Sequence, residues 1–178
     1  MSRKTMRYDD HFAAVLEALA TRGLLLGTSG EDGRPNLMTI GWGTLGTVWG
    51  KPLWVVLVRP SRHSFAAVER SGCFTVNVPP PSLAAACELC GTRSGREVDK
   101  FAACGLTVEK AVAVDAPAVA ECPIVYECRT VHSNDVDPRR LSKEIAATAY
   151  PRGDHHRIYW GEIVAAREVP DAARILGG

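Results

Sequence analysis

The sequence predicts a mainly β (α+β) single domain, an antiparallel barrel decorated with short helices and led by an N-terminal helix. Three observations predict it. Short β-rich runs recur along the chain between turns marked by glycine and proline. One of them, Leu53 to Val58 (LWVVLV), is apolar on both faces, as in a strand buried between layers. The chain has 178 residues, 46% of them apolar, enough for one core, and no repeat, low-complexity stretch or linker divides it.

The elements follow in order. Phe12, Val15, Leu16 and Leu19 recur at i, i+3, i+4, i+7, which predicts an amphipathic helix within residues 1–23, capped by Asp9 or Asp10 and closed by Gly23. Leu24 to Thr28 and Pro35 to Gly43 read as strands joined by the hairpin turn Ser29–Gly33. Trp49-Gly50-Lys51-Pro52 marks another turn before the LWVVLV strand. A helix is expected from Arg62 to Arg70 with Ser61 as its cap, then a strand from Cys73 to Val78 that Pro79–Pro81 ends. Two short helices follow, Ser82 to Leu89 ended by Gly91, and one opening on the capping box Ser94-Gly95-Arg96-Glu97 and ending near Gly105. β character returns at Val108 to Val114, at Val119 to His132 with a break at Pro123, and at Arg157 to Glu168. Between the last two runs, Pro138 to Tyr150 has helical composition and reads as an insertion.

Lysine and arginine total 21 against 20 acidic residues, so no net field steers the chain onto nucleic acid or an anionic membrane. The start lacks the apolar core of a signal peptide, and no run approaches the ~20 apolar residues of a transmembrane helix. The expectation is a cytoplasmic protein. Cys73, Cys87, Cys90, Cys104, Cys122 and Cys128 sit in apolar stretches and read as reduced thiols. Cys87 and Cys90 form a CxxC with no second ligand pair to complete a zinc site, so no metal is expected.

Two segments carry candidate chemistry. Along Asn36-Leu37-Met38-Thr39-Ile40-Gly41-Trp42 neither face is a clean core face, and a glycine within a strand often marks close approach of a ligand or another backbone. A flat aromatic ligand fits there, with Met38 and Trp42 as covers; equally, Met38 and Trp42 are barrel core and Gly41 a bulge. In Val58-Arg59-Pro60-Ser61-Arg62-His63-Ser64, a buried strand delivers the chain to a helix start rich in hydroxyls and cations. Free N–H groups and the helix dipole favour an anion such as phosphate there; the alternative is ordinary capping by Ser61. Ser94, Gly95 and Arg96, with Lys100 a turn on, form a second helix start able to take an oxyanion, or simply a capping box. In Asp154-His155-His156 the adjacent histidines point to opposite faces, so they do not share a metal, but one of them can face a ligand.

The motifs NLMTIGW, RPSRHS, GCFTVNVP, CGTRSGREVDKF, AP-x-VAEC-x-x-x-YEC and GDH-x-x-x-x-x-GEI stand in the order found in the flavin reductase-like family. The chain resembles that family, most of all its flavoredoxin-type branch, over about Leu24 to Ala166. The resemblance implies an FMN-binding split β-barrel that forms homodimers, with FMN near the subunit interface. It implies that Met38, Thr39, Gly41 and Trp42, within Asn36 to Trp42 and so with Ile40, lie along the flavin ring. Ser61, Arg62, His63 and Ser64 hold the phosphate, and Arg59 joins the cofactor-binding set. Asn77 contacts the flavin or its ribityl chain, Ser94, Gly95 and Lys100 add contacts, and His155 approaches the place where a nicotinamide meets the ring. Two departures stand out. The family runs from the EC strand to GDH through a short connection, whereas residues 133–153 intervene here. The chain also closes after Arg174–Gly178, where relatives often continue with an aromatic tail.

Three functions follow as expectations. One is an NAD(P)H-dependent flavin reductase passing electrons to flavin, ferric complexes or a partner protein. A second is an FMN electron carrier without a nicotinamide site; no GxGxxG dinucleotide signature is present. The third is a non-redox binding or metal protein. No Ser/His/Asp or paired-carboxylate constellation argues for hydrolytic chemistry.

Overall fold

The computed structural model describes residues 2–177; Met1 and Gly178, the two ends of the expected domain span, lie outside them. Among these residues ten strands and six α-helices follow in order: β1 (Lys4–Thr5), α1 (Phe12–Thr21), β2 (Leu24–Ser29), β3 (Pro35–Ile40), β4 (Gly43–Val48), β5 (Lys51–Val58), α2 (His63–Ser71), β6 (Cys73–Val78), α3 (Ala84–Thr92), α4 (Lys100–Cys104), β7 (Val108–Lys110), β8 (Pro117–Val119), β9 (Ile124–Asp135), α5 (Lys143–Ala149), β10 (Arg157–Glu168) and α6 (Ala172–Gly177). The eight-stranded antiparallel sheet runs β3-β2-β6-β9-β10-β5-β4, with β1 on β10; β7 and β8 pair separately.

The edge strands of this sheet, β3 and β4, are successive in the chain, with only Gly41 and Trp42 between them. The sheet therefore curls until its two edges meet, but no ladder joins them. That unpaired seam splits the barrel, and backbone groups along its two edges stay open.

The interior is filled by alternate residues of every long strand: Leu24 and Leu26, Met38 and Ile40, Trp54, Val56 and Val58, Phe74, Val76 and Val78, Tyr126 and Cys128, Tyr159 and Ile163. Helices α1 and α6 plug one end with Val15, Ala18, Leu19, Ala172 and Leu176. A second cluster lies outside the barrel, where α3 and α4 cover the Leu25 and Leu37 faces of β2 and β3 through Ala86, Cys87, Cys90 and Phe101. Thus Asn36 to Ile40 has no single core face because both of its faces are covered.

Several expectations need correction. Strand Pro35–Gly43 ends at Ile40, and a further strand, β4, was not foreseen. Its sequence GTLGTV is glycine-rich, which hides strand character. It returns through a two-residue turn with Trp49 at φ 54 and Gly50 at φ 70, which suits the twist of a hairpin. The LWVVLV strand is buried on both faces as expected, except at Leu57, which is only partly covered; β2 and β6 are buried on both faces as well. Helix α1 is entered through His11 in the left-handed region at φ 61, and Asp10 instead accepts from the Arg7 amide at 2.9 Å. The β run expected from Val108 to Val114 shrinks to three residues, because the Val112 and Ala113 amides turn to the buried Glu127 carboxylate.

Gly27 is required by packing. A Cβ there would collide with the Pro117 carbonyl of β8 and with Thr75 Oγ1. Gly27→Ala is expected to lower stability by about 1–3 kcal/mol, read as a reduced denaturant midpoint with unchanged slope; an unchanged midpoint would contradict the close crossing of β8.

Candidate functional site

A groove runs along the β3 side of the seam. Met38 to Trp42 form one wall, and Leu57, Arg59, Arg62 and His156 line the rest of a 180 Å³ space. A Cβ built on Gly41 would meet no protein atom within 4 Å. Nothing in the fold itself requires glycine there, and the main chain lies open to a flat ligand. Trp42 is 47% exposed and is therefore not barrel core, whereas Met38, at 6%, is.

Trp42 packs against His156, with ring centroids 5.1 Å apart, and edge-on to Tyr150 at 6.3 Å. Tyr150 ends the insertion, and its hydroxyl lies 2.8 Å from His156 Nδ1. Arg59 sits over the Tyr150 ring at 5.0 Å and donates to the Ala149 and Asp154 carbonyls, both at 2.8 Å. The insertion is thereby pinned beside the groove. Burial first, and the Arg59 charge second, push the His156 imidazole down to about 4. It is neutral at physiological pH. Because its pKa falls on folding, the unfolded chain takes up the proton first, so stability is full above the ordinary value of 6.5 and drains away as pH falls toward 4. His156→Asn is expected to flatten the slope of unfolding free energy between pH 6.5 and 4; an unchanged slope would show that His156 does not titrate there.

The groove continues past Met38 and Arg62 into a second pocket of 130 Å³, whose lining includes Ser64, Arg93, Ser94, Gly95 and Lys100 and no aspartate or glutamate. Helix α2 starts here with no acid in its first turn and no side-chain cap. The His63 and Ser64 amides donate to no acceptor in the described protein. Ser64 Oγ accepts from the Asn36 amide at 2.9 Å, so its own proton remains to be given. Lys100 is 4% exposed; its ammonium donates to the Leu37 carbonyl at 2.7 Å and the Cys90 carbonyl at 2.8 Å, keeping a third N–H. Burial lowers the Lys100 pKa. Burial, then Arg96 and Lys100, lower that of His63. Free amides, a hydroxyl and cations without an acidic partner are the kind of donor set that suits an anion.

The model of the flavin reductase like domain matches residues 17–176. The chain belongs to that family. Its fold matches the flavoredoxin of Desulfovibrio vulgaris (Miyazaki F) at 27% identity with a TM-score of 0.68, covering 84% of this chain and 70% of that one. It matches the flavoredoxin of Methanosarcina acetivorans at 25% identity and 0.67, covering 84% and 69%. A putative flavin reductase with a split barrel domain from Shewanella frigidimarina, at 21% identity and 0.68 over 94% and 82%, shares the fold. No curated protein matches the chain closely enough to count as a relative. The family fold is the mixed, mostly antiparallel split barrel described above.

On this flavin reductase-like barrel most of the expected site residues converge. Met38, Thr39, Ile40, Gly41, Trp42 and Arg59 line the groove, while Ser61, Arg62, His63, Ser64, Ser94, Gly95 and Lys100 line the anion pocket, and Asn36 supports Ser64 from behind. Thr39 directs its hydroxyl to the Cys87 carbonyl of α3. Ser61 does not cap α2; its hydroxyl donates to Asp154 Oδ2 at 2.6 Å, and Arg62 occupies the cap position. The Ser94 capping box does not form either. Residues 95–97 make a turn, α4 begins at Lys100, and Asp99 caps it by accepting from the Ala102 amide. Gly95 is needed because a Cβ would strike the Asn36 side chain and the His63 ring.

Two expected residues stay away. Asn77 is fully buried, donating to the Leu25 carbonyl and Thr75 Oγ1 and accepting from the Val119 amide, so its amide is satisfied inside the fold. His155 stacks on Tyr150 at 4.7 Å and does not line the groove; its neighbour His156 does. Sequence reasoning missed His156, Leu57, Arg93 and Tyr150. The alternation at Asp154-His155-His156 allows one histidine to face a ligand without saying which.

Proposed function

We propose that the protein binds one FMN with its ring along the seam groove and its phosphate in the pocket at the start of α2, and that it oxidises NAD(P)H. The observation that carries this reading is the continuity of the two spaces. An open glycine main chain with an exposed tryptophan leads through Met38 and Arg62 to a carboxylate-free anion pocket. A flat ring joined to a phosphate matches that order.

FMN, when bound, supplies the redox chemistry, accepting a hydride and returning electrons to an acceptor such as free flavin, a ferric complex or a partner protein. The chain's own residues bind and orient. Lys100, Arg62 and the α2 amides hold the phosphate, and Trp42 and Met38 cover the ring. The neutral His156, oriented by Tyr150, offers Nε2 to the groove without adding charge. We assign the role expected of His155 to His156. A homodimer fits the exposed Trp42, Trp49 and Val131, since apolar surface of this kind is suited to association.

Steady-state oxidation of NADH and NADPH, with and without added FMN, tests the enzyme reading. A yellow, FMN-loaded protein that turns over neither donor would overturn it. The second reading, an electron carrier with no nicotinamide site, is favoured by the two flavoredoxins among the structural neighbours; it would then stand alone.

A further inference from the structure

Arg59, Arg62 and Arg152 converge on a cleft of 480 Å³ walled by the end of the insertion, Ala149 and Pro151 among its residues. It shares Arg59 and Arg62 with the seam groove. The carboxylate in its lining, Asp154, is already engaged by Ser61, at Oδ1 by the amide (3.3 Å) and at Oδ2 by the hydroxyl (2.6 Å). Arg59 donates to main-chain carbonyls, and Arg62 gives one N–H to the Gly91 carbonyl at 3.2 Å. Arg152 has no hydrogen-bond partner among the described residues, and none of the three arginines forms an ion pair there. Three guanidinium groups around one committed carboxylate repel each other unless an anion joins them.

This cleft is separate from the proposed flavin phosphate pocket, with which it has only Ser61 and Arg62 in common, and it has more than three times the volume, 480 against 130 Å³. A ligand reaching from it into the groove needs a flat ring at one end and more than one negative charge close by. Planar guanidinium forks suit phosphate oxygens. We propose that the cleft is the subsite for the pyrophosphate of a nicotinamide dinucleotide, leaving its nicotinamide in the groove beside Trp42 and His156. The insertion at residues 133–153 thus builds a donor site that lies outside the flavin site and needs no dinucleotide-binding fold. This rests on the reading of the protein as an enzyme that oxidises NAD(P)H with its own FMN.

The test is calorimetric titration of the FMN-loaded protein with ADP-ribose, which carries the pyrophosphate but no nicotinamide. Wild type is expected to bind, and Arg152→Glu to lose at least about tenfold in affinity. Arg152 is exposed and unbonded, so the variant keeps its fold, checked by its FMN content. Arg152→Lys is expected to fall between them. No binding by wild type, or equal binding by Arg152→Glu, would overturn the subsite. Arg152-dependent binding without turnover of NADH or NADPH would uphold the subsite while removing the reductase reading. Turnover with Arg152-independent binding would do the reverse.

Discussion

Replacing Arg62 and Ser64 together by alanine is expected to weaken FMN on the order of 10³-fold and riboflavin by less than about threefold, since charge-assisted bonds contribute about 1.5–3 kcal/mol each. Only FMN has a phosphate to lose. Arg62 lines the pocket with one N–H on the Gly91 carbonyl and no acidic partner, so its charge is available to an anion. Ser64 sits at the start of α2, 1% exposed, with its oxygen already accepting from Asn36 and its proton free. Removing it strips a donor from the first turn and leaves the Asn36 amide without its closest partner. Part of the loss is therefore structural, and the riboflavin measurement separates that part out. Equal losses for the two ligands, measured by fluorescence quenching, would show that the phosphate lies elsewhere.

Lys100→Met is expected to cost about a hundredfold in FMN affinity and to lower thermal stability as well, because one buried ammonium serves both purposes. Methionine fills the volume of the stem but makes no hydrogen bond. The carbonyls of Leu37 and Cys90 lose a charged donor, which loosens the contact between β3 and α3 that forms one wall of the pocket. The pH dependence has a defined sign. Burial lowers the Lys100 pKa, so the ammonium discharges below its ordinary 10.5, and FMN affinity falls as pH rises toward that value. The fall is expected to be absent in the variant. An FMN affinity equal to wild type would place Lys100 among purely structural cations.

The legible parts of the site were those whose physics is local. A strand running into a helix with hydroxyls, cations and no first-turn acid is written in six residues, Arg59 to Ser64, and the pocket is there. What was not legible depends on closure of the sheet. The open main chain at Gly41 has meaning only once β3 and β4 are known to be the two edges of one curled sheet, and the glycine-rich GTLGTV gave little sign of β4. The same holds for Asn77. Its polar side chain in a VNVP strand suggests a ligand, but the crossing of β8 over β2 and β6 brings the Val119 amide, 42 positions away, to its oxygen, while Leu25 and Thr75 take its N–H groups. Ser94 shows the limit of a local motif. Its capping box is correct in composition, yet Ser94 closes a turn instead, its carbonyl accepting from the Glu97 and Val98 amides and its hydroxyl from the Arg96 amide. For His155 and His156 the alternation was readable, and its phase was fixed only by the pairing of β10 with β5, where Arg157 faces Val58.

The most direct measurement of the central claim is the visible absorption spectrum of the FMN-loaded protein under anaerobic conditions, before and after one equivalent of NADH or NADPH. The account predicts a flavin band on the purified protein that is bleached by at least one donor and returns when an acceptor is added. A protein that retains no flavin, or a bound flavin band unchanged by both donors, would contradict it.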